Sequence, residues 1–416
     1  MRYLTLILAL TFGQLVIADE VRKIKIGDPL PYGQSPINYP DEETSDAIAK
    51  LKDAVEKGET NLPFSEKHGY LPAVLKALNV PLESQLLVFS KTAVNQKIIS
   101  PTNPRAIYFN DEVSVAWVPG AAELELTAID PLKGGMFYLI PQEAAERPEI
   151  RRNSRCLACH VGITTLRVPG FMIRSFFTKD DGKPVSGYSR VTHDMPLWKR
   201  WGGWYVTGTH GKRPHRGNLI GVDKAESFKD RPLQGGNVDA LNEFFPVKDY
   251  LAPTSDIVAH LVFDHMMNGF NLIIRVNYEA RLKRQSDAEE QLLRYLLFAD
   301  EPRLDTTISA VGDRGELDAS PIRGNDFAQW FSKQSLADGK PDRLRELDLK
   351  TRLQRHRVSF LVNHRLFRGL PRAVRDRLMG RMQQALESAN ADEPLTSHIP
   401  ISERREILAI LKPKKR

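Results

Sequence analysis

The spacing of apolar residues changes twice along this chain, and each change predicts a different kind of element. Over 45–57, Ala47, Ile48, Leu51, Ala54 and Val55 recur on one helical face, and Gly58 stands where a helix would stop. A second, shorter helix is predicted over 71–78. Between 105 and 140 the period drops to two. Val113, Val115 and Trp117 alternate with other residues, as do Leu124, Leu126 and Ala128. Pro119-Gly120 and the segment 131–135 punctuate the alternation, so an antiparallel meander of three or four strands is predicted. Residues 161–250 are Gly-rich, aromatic and irregular, with short strands expected over 171–177 and 204–206. The helical period returns after Pro253 in "TSDIVAHLVFDHMMNGFNLIIRVNYEARLKRQ", with Thr254 or Ser255 placed to cap it. Further helices are expected over 286–298, 343–367, 371–387 and 402–411. No repeat of solenoid type is present.

The predicted class is therefore α+β: a meander over the first half, then a helical C-terminal half packing on it. The boundaries fall at 1–18, 19–252 and 253–416. The first segment, "MRYLTLILALTFGQLVIA", places Arg2 before an apolar run and ends in Val16 and Ala18, the pattern of a cleaved signal peptide. The run is shorter than the ~20 residues that cross a bilayer, so no integral span is expected in a mature chain starting near Asp19. A periplasmic or secreted location follows. The apolar share of 41% suffices for a core. The formal charge of +7, or +6 once Arg2 is removed, is too diffuse to argue for nucleic acid.

The chain holds two cysteines, Cys156 and Cys159, in "RNSRCLACHVG". Cys-x-x-Cys-His can bind a haem covalently, act as a redox dithiol, contribute to a zinc site or form an inert disulfide. Two sulfurs three residues apart reach the two vinyl groups on one porphyrin edge, and a histidine directly after the second lies beneath the iron. Zinc sites need four ligands, and no second Cys-x-x-Cys exists. A redox dithiol is expected beside a βαβ pattern, which the sequence lacks. The spacing thus favours one covalent haem c, with Cys156 and Cys159 bonded to it and His160 on its iron.

Several segments resemble secreted cytochrome-c-like proteins of Gram-negative bacteria, a group with little functional characterisation. They are "NPRAIYFNDEVSVAWVPG", "RCLACH" followed by "RVPGFMIRSFF", "RWGGWYVTGTHG" with "HRGN", and "SDIVAHLVFDHM". The resemblance covers most of the mature chain. It implies a cytochrome c domain and matches Cys156, Cys159 and His160 to the haem-attachment motif.

The second axial position has several candidates. Met172, Met195, Met266 and Met267 read as packing residues. His193, His210 and His215 lie in the Gly-rich segment, where a backbone can pass close to a flat cofactor. His265 falls on the apolar stripe of the long helix with Leu261 and Val258. The expected distal ligand is one of these four histidines, or none. His260 falls off that stripe and is expected to be exposed, while His356 and His364 are expected on a basic helix. Trp198, Trp201, Trp204 and Tyr205 are expected to wall the pocket, and Arg200 to pair a propionate.

Together these features predict an exported monohaem c-type cytochrome that passes single electrons to a redox partner protein. A bare carrier needs only ~100 residues, and this chain is far longer. A haem-dependent, peroxidase-like oxidoreductase with an open iron site is the alternative, followed by a secreted haem-based sensor. The sequence assigns no catalytic residue.

Overall fold

Alternation builds a larger sheet than the meander alone. The computed structural model describes residues 21–41, 43–185, 187–310 and 326–412; the expected signal segment, 1–18, lies outside the described residues. Strands β1 (Leu86–Val88), β2 (Arg105–Phe109), β3 (Val113–Trp117), β4 (Glu123–Asp130), β5 (Gly134–Pro141), β6 (Arg151–Arg152) and β7 (Trp204–Tyr205) form one antiparallel sheet in the order β7-β1-β2-β3-β4-β5-β6. Four of these are the predicted meander. The segment after the cysteine motif returns to add β7 at one edge.

The register gives the sheet two different faces. Val115 pairs with Leu126, and Leu126 with Tyr138. The Tyr138 hydroxyl donates to the Asp46 carboxylate at 2.6 Å. Asp46 caps helix α1 (Ala47–Glu56), so the Val115–Leu126–Tyr138 face is the one that α1 covers. On the opposite face, Phe109 pairs with Ser114, Ser114 with Thr127, and Thr127 with Phe137. Helix α2 (Leu71–Ala77) lies near β3.

Helix α3 (Ile257–Arg281) crosses beneath this second face and meets it through Phe263, whose ring lies 4.8 Å from that of Phe109. Its cap is Asp256 rather than Thr254 or Ser255: the carboxylate accepts from the Val258 and Ala259 amides at 2.8 and 2.9 Å. By length and composition α3 could cross a membrane. Every residue of its most apolar window is buried within the protein. It carries Asp264, His265, Asn268, Asn271 and Arg275 into the interior.

Helices α4 (Ala288–Leu296), α5 (Asp326–Ser332), α6 (Arg372–Glu387) and α7 (Ile401–Leu411) follow. The helix expected over 343–367 does not form. Only short turns occur there, at Arg343–Arg345, Phe360–Asn363 and Arg365–Arg368. Asp348 accepts from the Lys350 and Thr351 amides at 2.8 and 2.9 Å, and Ser359 from the Leu361 amide at 3.1 Å. Such side chains offer the backbone a turn in place of the helical ladder. The expected change at Pro253 is one of secondary structure only, because a single buried apolar cluster runs from Leu30 to Ile407.

Candidate cofactor site

Cys156 ends a short turn, Ser154–Cys156, that leads into a single α-helical turn, Leu157–His160. The Asn153 side chain starts it by accepting from the Arg155 amide at 3.1 Å. Both thiols are free; Cys156 is half-buried and Cys159 exposed. Burial pushes the Cys156 thiol up to about 11, with Glu125 adding to the effect.

His160 is held by a chain of contacts that begins on α3. The Asn271 amide oxygen accepts from the Phe171 N–H at 2.8 Å, and its nitrogen donates to the Phe171 carbonyl at 2.7 Å. That clamp fixes Gly170, whose carbonyl lies 2.8 Å from His160 Nδ1. A Cβ at position 170 would stand 2.2 Å from the Asn271 amide oxygen, so only glycine fits beneath the clamp. On the other side Gly134 and Gly135 let the strand approach: the Gly135 amide donates to the Pro169 carbonyl at 2.9 Å. Gly134 has φ of +81°, and a Cβ there would meet that carbonyl at 2.8 Å. Thr165 completes the loop, donating toward the His160 and Val168 carbonyls.

A carbonyl can only accept, so Nδ1 carries the proton and Nε2 keeps its lone pair. Burial, the largest influence, pulls the His160 pKa down to about 4. The ring is thus a neutral imidazole near pH 7, the form that binds a metal, and its orientation is set by an outer hydrogen bond.

The motif opens on a cavity of about 500 Å³, within the ~300–1,000 Å³ of ligand sites. Its floor is the second face of the sheet: Ile107, Ser114, Ala116, Thr127, Phe137 and Leu139 line it. Phe137 also contacts the His160 ring at 4.5 Å. Phe263 and Met267 of α3 close another side, with Phe171, Met172 and Trp204. Three cations, Arg105, Arg155 and Arg174, reach the lining. Arg105 pairs with Glu125 at 2.6 Å, and Arg174 lies over the Tyr188 ring at 4.7 Å. The Nε atoms of Arg105 and Arg174 are buried without a hydrogen-bond partner among the described residues.

None of the four expected distal histidines lines this cavity. His210 and His215 pack against each other at 4.4 Å. His210 Nε2 accepts from the Asn237 amide at 2.8 Å and His215 Nδ1 from the Gly217 amide at 2.9 Å. His193 and His265 belong to a separate ring stack with Tyr295. The methionines divide: Met172 and Met267 are in the cavity wall, while Met195 and Met266 are not.

Four other expectations are corrected. His260 is buried, because α3 is covered on all sides. Its Nε2 lies 2.9 Å from the Tyr205 carbonyl and 3.1 Å from Ser255 Oγ. Arg200 faces away from the cavity. It pairs with Asp264 at 3.4 Å and donates to the His193 and Met195 carbonyls. Of the aromatic group, only Trp204 lines the cavity. Trp198 is exposed, Trp201 donates to Asp264 at 3.0 Å, and Tyr205 donates to the Pro101 carbonyl at 2.7 Å. His364, expected on a basic helix, instead caps the short turn Arg365–Arg368 and is buried, as is His356.

Sequence reading missed the sheet face itself. Its signal was the residues between the apolar ones, Ser114 and Ala116 in β3 and Glu125 and Thr127 in β4. Small and polar residues there leave room over the sheet, and the core-facing set drew attention from them.

The residues fit a covalently bound haem c. They supply two thiols and an oriented imidazole on one turn, a sheet floor in which Ser114, Ala116 and Thr127 leave room, and arginine nitrogens without a partner among the described residues. No protein-family model, curated protein or solved structure matches this chain.

Proposed function

We propose that this protein is an exported c-type cytochrome carrying one covalent haem and exchanging single electrons with a redox partner. The observation that carries the reading is the pose of His160. Its Nδ1 is committed to the Gly170 carbonyl, and its ring borders the same cavity as Cys156 and Cys159. When bound, the haem supplies one-electron redox chemistry that no side chain offers. Cys156 and Cys159 would hold it through thioethers, and His160 would supply a nitrogen to its iron. Arg105, Arg155 and Arg174 are the cations available to its carboxylates. Phe171, Phe263 and Trp204 keep water from the apolar side. Exposed Cys159 puts the attachment edge near solvent, where a partner reaches it.

Met172 and Met267 line the cavity and would be the side chains available as a second iron ligand, with an exogenous ligand as the other source. A second reading, a haem oxidoreductase with an open position, is favoured by the polar strip of Arg105, Glu125, Ser114 and Thr127 along the cavity. Spectra of oxidised and reduced protein, with and without carbon monoxide, separate the two. A thioether-to-iron band lost in Met172→Ala or Met267→Ala supports the carrier, and ready carbon monoxide binding supports the enzyme. A properly exported protein without haem would overturn both.

A further inference from the structure

Tryptophan recurs at every third position in Trp198, Trp201 and Trp204, and the three differ in depth. Trp204 lines the cofactor cavity, Trp201 is fully buried and Trp198 is 42% exposed. One imidazole touches both inner rings: His260 lies 5.3 Å from Trp201 and 5.5 Å from Trp204. Three peptide units separate Trp198 from Trp201, at most about 11 Å between Cα atoms. Trp201 has φ of +64°, a left-handed conformation that a bulky residue rarely adopts. Gly202 is required beside it, because a Cβ there would run into the Phe176 carbonyl. The surroundings hold a strained turn with the Trp201 indole inside the protein.

Trp201 also differs from its neighbours in what its N–H meets. Its Nε1 donates to Asp264 Oδ2 at 3.0 Å, whereas Trp204 Nε1 donates to the Arg174 carbonyl at 2.9 Å. A carboxylate can take the proton outright, and a backbone carbonyl cannot. Asp264 Oδ1 is buried without a hydrogen-bond partner among the described residues. Burial raises this carboxyl to about 7, against the opposing pull of Arg200. The negative charge of Asp264 also favours loss of an electron from the indole beside it. Trp198 has the opposite surroundings, with Lys199 and Arg216 over its ring at 4.9 and 5.6 Å. Those cations disfavour a lasting oxidised state on Trp198 and attract an anionic molecule to it.

We infer that Trp198, Trp201 and Trp204 form a one-electron relay from an anionic donor at the surface to hydrogen peroxide reduced in the cofactor cavity, with Trp201 the residue oxidised between electrons. The inference rests on the haem reading, in its open-iron form. Hydrogen peroxide takes two electrons, and two protons from solvent; its O–O bond breaks, two O–H bonds form, and two waters leave. Each donor molecule gives one electron, so two are oxidised per peroxide. When Trp201 passes its electron inward through Trp204, its Nε1 proton moves to Asp264 and a neutral indolyl radical remains. An electron arriving through Trp198 restores the indole, and the proton returns from Asp264.

The test mixes exported, haem-loaded ferric protein with hydrogen peroxide and freezes it rapidly for electron paramagnetic resonance. The wild type should show an organic radical whose hyperfine pattern changes when the protein carries ring-deuterated tryptophan. Trp201→Phe should abolish that signal. Asp264→Asn can accept the hydrogen bond but not the proton, so its radical should show an exchangeable N–H coupling that the wild type lacks. Trp198→Phe should keep the radical and slow the oxidation of ferrocyanide, an anionic donor, by about tenfold or more. Circular dichroism and the haem spectrum check folding of each variant, and Asp264→Asn decides the assignment if Trp201→Phe does not fold. Haem-loaded protein that leaves peroxide intact, forms its radical on tyrosine, or keeps the indole radical in Trp201→Phe overturns the relay and leaves the haem reading standing. A folded, exported chain without haem overturns the haem reading, and the relay with it.

Discussion

Gly170 and Asn271 are predicted to act as one unit, and a double-mutant cycle measures how closely. In Gly170→Ala the new Cβ stands 2.2 Å from the Asn271 amide oxygen and 3.3 Å from Thr165 Cβ. Asn271 must swing away and release the Phe171 N–H and C=O it now satisfies. Each buried group left unpaired costs about 1–3 kcal/mol, so Gly170→Ala, which frees two, should destabilise by about 2–6 kcal/mol. Asn271→Ala loses the same two hydrogen bonds and falls in the same range. In the double variant the clash has no partner and the bonds are lost only once. Its cost should match that of Asn271→Ala, which makes the pair non-additive by about 2 kcal/mol or more. Urea unfolding followed by far-UV circular dichroism gives the four free energies. The haem spectrum reports whether the Gly170 carbonyl still orients His160. Additive effects, or a cost under about 0.5 kcal/mol for Asn271→Ala, would falsify the clamp.

Further expectations concern acid, the cavity floor and export. All ten histidines have pKa values lowered in the folded state, with burial the largest cause in each. Below the unfolded value of about 6.5 the unfolded chain takes up protons that the folded one refuses, so stability falls with pH until the folded values near 4 or 3 are reached. Asp264 and Glu301, raised to about 7 by burial, work in the opposite direction over the same window. The histidines outnumber them, and the urea midpoint should drop from pH 7 to pH 5; a constant or rising midpoint contradicts this. Ala116→Phe should fill the floor of the cavity and reduce haem per chain while leaving the sheet's circular dichroism intact; unchanged haem content would place the cofactor elsewhere. N-terminal sequencing of exported protein should begin near Asp19, and a retained Met1 would count against export by a cleaved leader.

How much of this was legible in the sequence depends on what each residue's signal encodes. Period-two alternation located β3 and β4 because one face of each is core. The same pattern did not say what the opposite face meets, since Ser114 and Thr127 read equally well as solvent-facing. His160 was identified from local spacing, but its orienting partner Gly170 depends on Asn271, about a hundred residues away. The error over His260 came from treating α3 as a surface helix with one buried stripe, when it is enclosed on every side. The histidines in the Gly-rich segment were singled out because glycine lets a backbone pass close to a flat cofactor. In space His210 and His215 hydrogen-bond to nearby backbone and His193 to the Ala299 carbonyl, and the cavity wall is drawn from the sheet and α3 instead.

The most direct test of the central claim is whether haem remains on the exported chain after denaturation and acidic organic extraction. The account predicts that it does, that the intact mass exceeds the mature polypeptide by one haem, and that Cys156→Ala/Cys159→Ala releases it. Exported, folded protein at the bare polypeptide mass, with no haem absorption, would contradict it.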